Sequence, residues 1–183
     1  MKLFKEKDNY GNEFYVLIDA TLINRWCDFS GKNHQDNRGN PDHLIELDLT
    51  DEDEIGDALL EDGFNVKLYI PKNNVDPQRK PTRHLQIKLP YRDEQPWLEP
   101  KIRTNTNNVV NDISRETIGS LDDCIIEKAN LTVRRHAWEY MSRSGVTAQL
   151  VDGEFYIQGS KVFRPSYMRT EEPNQNPNDD LPF

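Results

Sequence analysis

The sequence lacks the features that most quickly assign a protein to a class. No apolar run approaches the ~18 residues that a membrane-spanning helix requires, and the opening MKLFKEKDNYGNEF lacks the apolar h-region of a secretory leader. Those two absences lead us to expect a protein that works in a cytoplasm and has no membrane partner. Cysteine is scarce. Cys27 and Cys124 are far apart and neither sits in a C-x-x-C pair, so zinc and dithiol chemistry are unsupported and two buried free thiols are expected. No Walker loop, G-x-G-x-x-G, G-x-S-x-G or H-E-x-x-H is present. His34 and His43 lie near Asp36 and Asp42 without the spacing of a ligand set. Asp51 with Asp53, and Asp122 with Asp123, could serve a nuclease, but acids at helix starts and turns need no catalytic reason. No nucleophile has a partner base, and the expectation is a protein that is not an enzyme and uses neither cofactor nor metal.

What is present is a polar chain with many rings. Of 183 residues 35% are hydrophobic and 30% charged, yet there are three Trp, seven Tyr and seven Phe, more than a disordered chain carries. The formal net charge of -9 argues, alone, against nucleic acid. The charge is unevenly distributed, which weakens that exclusion. Residues 1–63 hold sixteen acids against six bases, residues 64–170 hold twelve against seventeen, and residues 171–183 add four acids and no base.

Hydrophobic periodicity predicts strands over Glu13–Ile23, His43–Leu49, Asn65–Ile70, Arg83–Leu89 and Cys124–Tyr140. In HLIELDL, Ile45, Leu47 and Leu49 share a face at period two. Thr50 is a candidate N-cap for a helix running to Gly63, with its acids in the first turn where the dipole favours them. TAQLV and EFYIQ are expected to form a hairpin across Asp152-Gly153, and Lys101–Asp123 to be loop with one short helix. Strands with one helix and long loops suggest a mainly β protein built as a five-stranded OB-fold barrel over residues 1–170, followed by a flexible acidic tail over 171–183. Exposed strand edges would suit a homo-oligomer of unspecified size.

The basic residues fall in two stretches. Lys72, Arg79, Lys80, Arg83, Lys88 and Arg92 lie near Tyr69, Tyr91 and Trp97, while Arg134, Arg135, His136 and Arg143 are interleaved with Trp138 and Tyr140. Cations beside exposed rings suit single-stranded nucleic acid: phosphates are drawn to Lys and Arg, and unpaired bases stack on aromatics for about 1–3 kcal/mol each. The alternative is a solvated strand face with its rings in the core. Alternation places Lys128, Asn130, Thr132, Arg134, His136, Trp138 and Tyr140 on one face, with Ile125, Ala129, Leu131, Val133 and Ala137 on the other. A bulge would instead turn Arg135 outward. Trp26 and Phe29, near Arg25 and Lys32, either continue the stacking surface or enter the core.

The chain closes on Asp179, Asp180, Leu181, Pro182 and Phe183, behind a Pro- and Asn-rich spacer. That ending resembles the acidic tip of bacterial single-stranded DNA-binding proteins. The body resembles the OB-fold single-stranded DNA-binding proteins of phages over HLIELDLTDEDEIGDALLEDGFNVKLYI and IIEKANLTVRRHAWEYMSRSGVTAQLVDGEFYI. The resemblance implies a coat for single-stranded DNA in replication, recombination or repair, in a bacterial host's cytoplasm, with a tip that docks partner proteins. In such docking the Phe183 ring would enter an apolar pocket while Asp179, Asp180 and the terminal carboxylate meet a basic rim. A tail without a partner is the alternative for the tip. The net charge keeps a rival reading open for the whole chain, an acidic DNA mimic that inhibits a nucleic-acid-handling enzyme.

Overall fold

The computed structural model of the chain describes residues 1–36, 39–72 and 80–158. Nine strands form one sheet: β1 (Lys2–Lys7), β2 (Glu13–Ala20), β3 (Leu44–Asp48), β4 (Val66–Tyr69), β5 (Thr82–Lys88), β6 (Lys101–Thr106), β7 (Val109–Ile113), β8 (Ile126–Tyr140) and β9 (Arg143–Ile157), with helix α1 (Asp53–Glu61) between β3 and β4. Five of them close on themselves. β2 pairs with β8, β8 with β9, β9 in parallel with β5 at Ile87 and Ala148, and β5 with β3. The chain after β2 then returns the sheet to its start, where Leu22 bridges Leu47 and the Ile23 amide donates to the Glu46 carbonyl at 2.9 Å. This circuit is the expected five-stranded OB barrel; β1, β4 and the β6–β7 hairpin are additions to it.

Alternation fills the barrel. Leu17, Ile45, Leu47, Leu85, Ile87, Leu131, Val133 and Leu150 point inward and are almost fully buried. Tyr15 meets Phe64 edge-on at 4.8 Å, and Phe29 meets Phe155 at 5.4 Å. Asp53 and Glu54 open α1 as expected, but Thr50 bonds to Asp48 instead of capping it, and Glu52 stands at the cap. Gly63, with φ of +85°, ends the helix segment in a conformation that glycine adopts without strain.

Three expectations are corrected. Asp152-Gly153 is not a turn but the interior of β9, where a Cβ on Gly153 would sit 2.9 Å from the Phe155 ring. The glycine there marks a close approach. The hairpin turn is Met141-Ser142, both with positive φ, as a two-residue turn that continues strand twist demands. Lys101–Asp123 is not mostly loop, since β6 and β7 form a second hairpin across Asn107-Asn108, again at positive φ, which asparagine tolerates. A bulge at Glu127 shifts the face of β8, so Ile126 is buried and Ile125, expected inside, is 60% exposed.

Candidate nucleic-acid interface

Residues paired directly across a sheet point to the same side. Since Leu85, Ile87 and Ala148 point into the barrel, their neighbours Thr82, His84, Gln86 and Lys88 on β5 point out. Register carries that outer face across the sheet. Tyr69 and Lys67 of β4 stand opposite Thr82 and His84, and Gln149 of β9 lies beside Lys88. Gln149, Thr147, Gly145 and Arg143 then face Arg134, His136, Trp138 and Tyr140 of β8. The bulge of β9 lies at Val151, beyond this segment, so the face expected from alternation holds along the arm.

The β8–β9 arm carries one end of the face. Arg134 Nε donates to Gln149 Oε1 at 3.0 Å, which fixes the guanidinium, while its Nη2 is buried without an acceptor among the described residues. Burial, then the charge of Arg92, hold Arg134 below the usual arginine range. Burial also lowers the His136 imidazole, followed by Arg92 and Arg134. No carboxylate among the described residues forms an ion pair with Arg92, Arg134 or Arg143. Like charges gathered without a counterion fit an anionic ligand. Trp138 lies across Gly145, where a Cβ would come within 2.7 Å of the indole, and remains 42% exposed; Tyr140 is 67% exposed.

Trp26 anchors the other end. It is half-buried over the outer face, edge-on to Tyr69 at 5.3 Å and to His84 at 5.0 Å, with the Arg25 guanidinium 5.6 Å from its ring centre. Beneath it the buried Glu46 carboxylate binds His84 Nδ1 at 2.7 Å and accepts from Gln86 at 3.1 Å. That network satisfies the carboxylate and fixes the surface on which Trp26 rests. An open cleft lined by Arg25, Thr50, Asp51, Lys80 and Thr82 borders this end, with Lys80 paired to Asp51 at 3.2 Å.

Several expected contacts are used elsewhere. Phe29, 1% exposed against Phe155, is a core residue and no base can reach it. Arg83 turns away from the face, donates to Asp57 at 2.7 Å and to the Asp53 carbonyl, and so docks β5 on α1 at Gly56. Arg135, one residue along from Arg134, faces the opposite side and donates to the Asp62 carbonyl at the end of α1, where a cation is favoured. Tyr91 is half-buried edge-on to His43 at 5.0 Å, under the Arg115 guanidinium. Lys88 is on the face but paired with Asp42 at 2.6 Å. Arg92, in the loop after β5, is exposed and its charge acts on Arg134, Trp97 is 74% exposed on a helical turn of that connection, and Lys72 is exposed after β4. Arg79 and Asp179 to Phe183 lie outside the described residues. Tyr69 and Arg25, noted in the sequence only as neighbours of the candidates, and Lys67 and His84, not singled out there, join the face; cross-strand register is the signal that brings Lys67 and Tyr69 onto it.

The outer face near β6 is different. Arg103 pairs with Asp152 and Lys128 with Asp19, and Glu154 accepts from the Asn105 amide, so most of its charged groups have partners within the protein, Lys101 being exposed. Among the described residues no group of three or more His, Cys, Asp or Glu could hold a metal ion, and no helix is long and apolar enough to cross a membrane.

Solved structures similar to the chain include single-stranded DNA-binding proteins of bacteriophages. The single-stranded DNA-binding protein of bacteriophage Enc34 aligns with a TM-score of 0.45 at 13% identity, covering 85% of this chain and 89% of that one. The same protein in complex with ssDNA gives 0.47 at 14%, over 84% and 94%. The single-stranded DNA binding protein gp2.5 of bacteriophage T7 gives 0.34 at 10%, over 88% and 98%. No curated protein matches the sequence. The sequence model of one family, the putative phage ssDNA-binding domain, matches residues 9–174. The chain belongs to that family.

Proposed function

We propose that the chain coats single-stranded DNA with little sequence preference, laying the strand along the outer face from Trp26 and Tyr69 to Trp138 and Tyr140. One observation carries this reading: unpaired cations and exposed rings share a continuous stretch of the barrel's outer surface, while the charged groups of the outer surface near β6 are mostly paired within the protein. Phosphates meet Arg25, Lys67, Arg92, Arg134 and Arg143, and bases stack on Trp138, Tyr140 and the exposed parts of Trp26 and Tyr69. Backbone contacts of this kind carry no sequence information.

Family membership supports the same ligand. It also favours this reading over the acidic-mimic one, as does the placement of Glu46 beneath the face, where it is buried instead of displayed. Residues 1–170 serve as the DNA-binding domain and 171–183 as a tether for replication, recombination or repair proteins in the host cytoplasm. The test is a fluorescence titration with single- and double-stranded oligonucleotides at low salt. Preference for the single strand supports the reading, and no binding to it contradicts the reading. Deleting Leu181 to Phe183 separates the two roles: DNA binding persists and capture of replication proteins is lost. Capture that survives the deletion refutes the role of the tip.

A further inference from the structure

The four histidines of the chain have different surroundings. His34 Nδ1 is 2.9 Å from the Asp28 carboxylate, His84 Nδ1 is 2.7 Å from Glu46, and His43 Nδ1 is 2.7 Å from the Phe29 carbonyl. Each of these has an acceptor that fixes the ring. His136 has none among the described residues. It stands on the outer face of β8 with Arg134 and Trp138 on either side, opposite Thr147 of β9 with Gln149 and Gly145 next along that strand, and it feels the charge of Arg92 in the loop after β5. The charged groups that act on it are the two guanidiniums, and no carboxylate does.

In the free protein this surrounding favours neutral imidazole: His136 is exposed, but the strand surface screens part of its ring from water, and both neighbours repel a third positive charge. A phosphodiester brought between Arg92 and Arg134 reverses that repulsion. It supplies the missing acceptor and a negative charge to the same cluster. The imidazole nitrogen then gains a proton from water or buffer, and the imidazolium donates to a phosphate oxygen as a charge-assisted bond.

We propose that His136 grips the DNA backbone as an imidazolium, so that binding of single-stranded DNA is coupled to proton uptake at this position. The inference rests on the DNA-binding reading given above and adds a regulation to it: the coat tightens as pH falls through the neutral range. If the bound phosphate raises the His136 pKa by one unit, the whole effect is about tenfold in affinity.

The experiment uses the full chain and an oligothymidylate, because neither thymine nor a phosphodiester titrates between about pH 6 and pH 8, the range in which histidine does. Affinity is measured at both ends of that range, and calorimetry near neutrality in two buffers of different ionisation enthalpy counts the protons taken up. The wild type should bind about three- to sixfold more tightly at the acid end, with net proton uptake. His136→Gln should bind with one affinity at both pH values. His136→Lys, carrying a fixed charge, should also lose the dependence and bind more tightly than His136→Gln. A wild-type affinity that does not change with pH, or a pH dependence that survives in His136→Gln, overturns the inference and leaves the DNA-binding reading standing. Failure to bind oligothymidylate at either pH overturns that reading itself.

Discussion

Replacing Arg134 by glutamine tests the arm of the proposed interface directly. The guanidinium is held by Gln149, itself buried, through Nε at 3.0 Å, and Nη2 is the donor left without a partner among the described residues. Much of its dehydration has therefore already occurred in the free protein. A phosphate oxygen accepting from the solvent-facing side of this guanidinium adds roughly 1.5 kcal/mol, the lower end of the range for bonds to charged groups, which is about tenfold in Kd. Losing one phosphate contact also lowers the slope of log K against log salt by about 0.7 for a single strand. Fluorescence anisotropy of a labelled oligothymidylate between about 50 and 200 mM salt reads both quantities. Arg83→Gln is the matched control, because that arginine is committed to Asp57 and α1. It should cost about 1 kcal/mol of stability and leave the affinity and the slope alone. Wild-type affinity with an unchanged slope in Arg134→Gln would refute the reasoning.

Trp138→Ala should weaken DNA binding by about 1–3 kcal/mol while leaving the salt slope unchanged, because stacking releases no counterions; the same titration checks it. Phe29→Ala removes a ring sealed against Phe155 and should cost about 3–5 kcal/mol of stability in urea; a loss under about 1 kcal/mol would move that ring out of the core. Asp28 gives a pH prediction. Burial opposes its ionisation, but the His34 ring, the Asn33 amide and the Ser30 hydroxyl outweigh burial and hold the carboxyl below its ordinary value. A depressed native value means stability present above the unfolded pKa and lost as pH falls through the native one. Thermal unfolding at about pH 5 and about pH 3 should show a smaller acid loss in Asp28→Asn than in the wild type; equal losses would remove Asp28 from the account.

The barrel was legible where one face of a strand is buried and the other wet. HLIELDL and RHLQIKL announce β3 and β5 in this way, and the alternation of β5 is what sets His84, Gln86 and Lys88 on one side of the strand. The same rule separates Arg134 from Arg135, provided that no bulge intervenes. Turns were harder. Asp152-Gly153 has the composition of a hairpin, but the glycine is there because the Phe155 ring lies against it, a long-range contact with no local signature. Asn107-Asn108 is a genuine turn hidden in the sequence because β7 carries Val109 and Val110 on an exposed edge, without a buried stripe to set a period. Trp26 and Phe29 lie three residues apart in irregular backbone, where no period assigns a side, so the sequence left both readings open and the fold divides them. Arg83 and Arg134 look alike in sequence. Only the placement of α1 shows that Arg83 is neutralised and Arg134 is not.

Cross-linking with an oligonucleotide that carries 5-iododeoxyuridine, followed by mass-spectrometric mapping, tests the central claim most directly. Adducts at Trp26, Tyr69, Trp138 and Tyr140, from both ends of the one outer face, are the predicted result. Adducts concentrated at Tyr156, on the charge-paired face beside β6, with the four rings unmodified, would contradict the account.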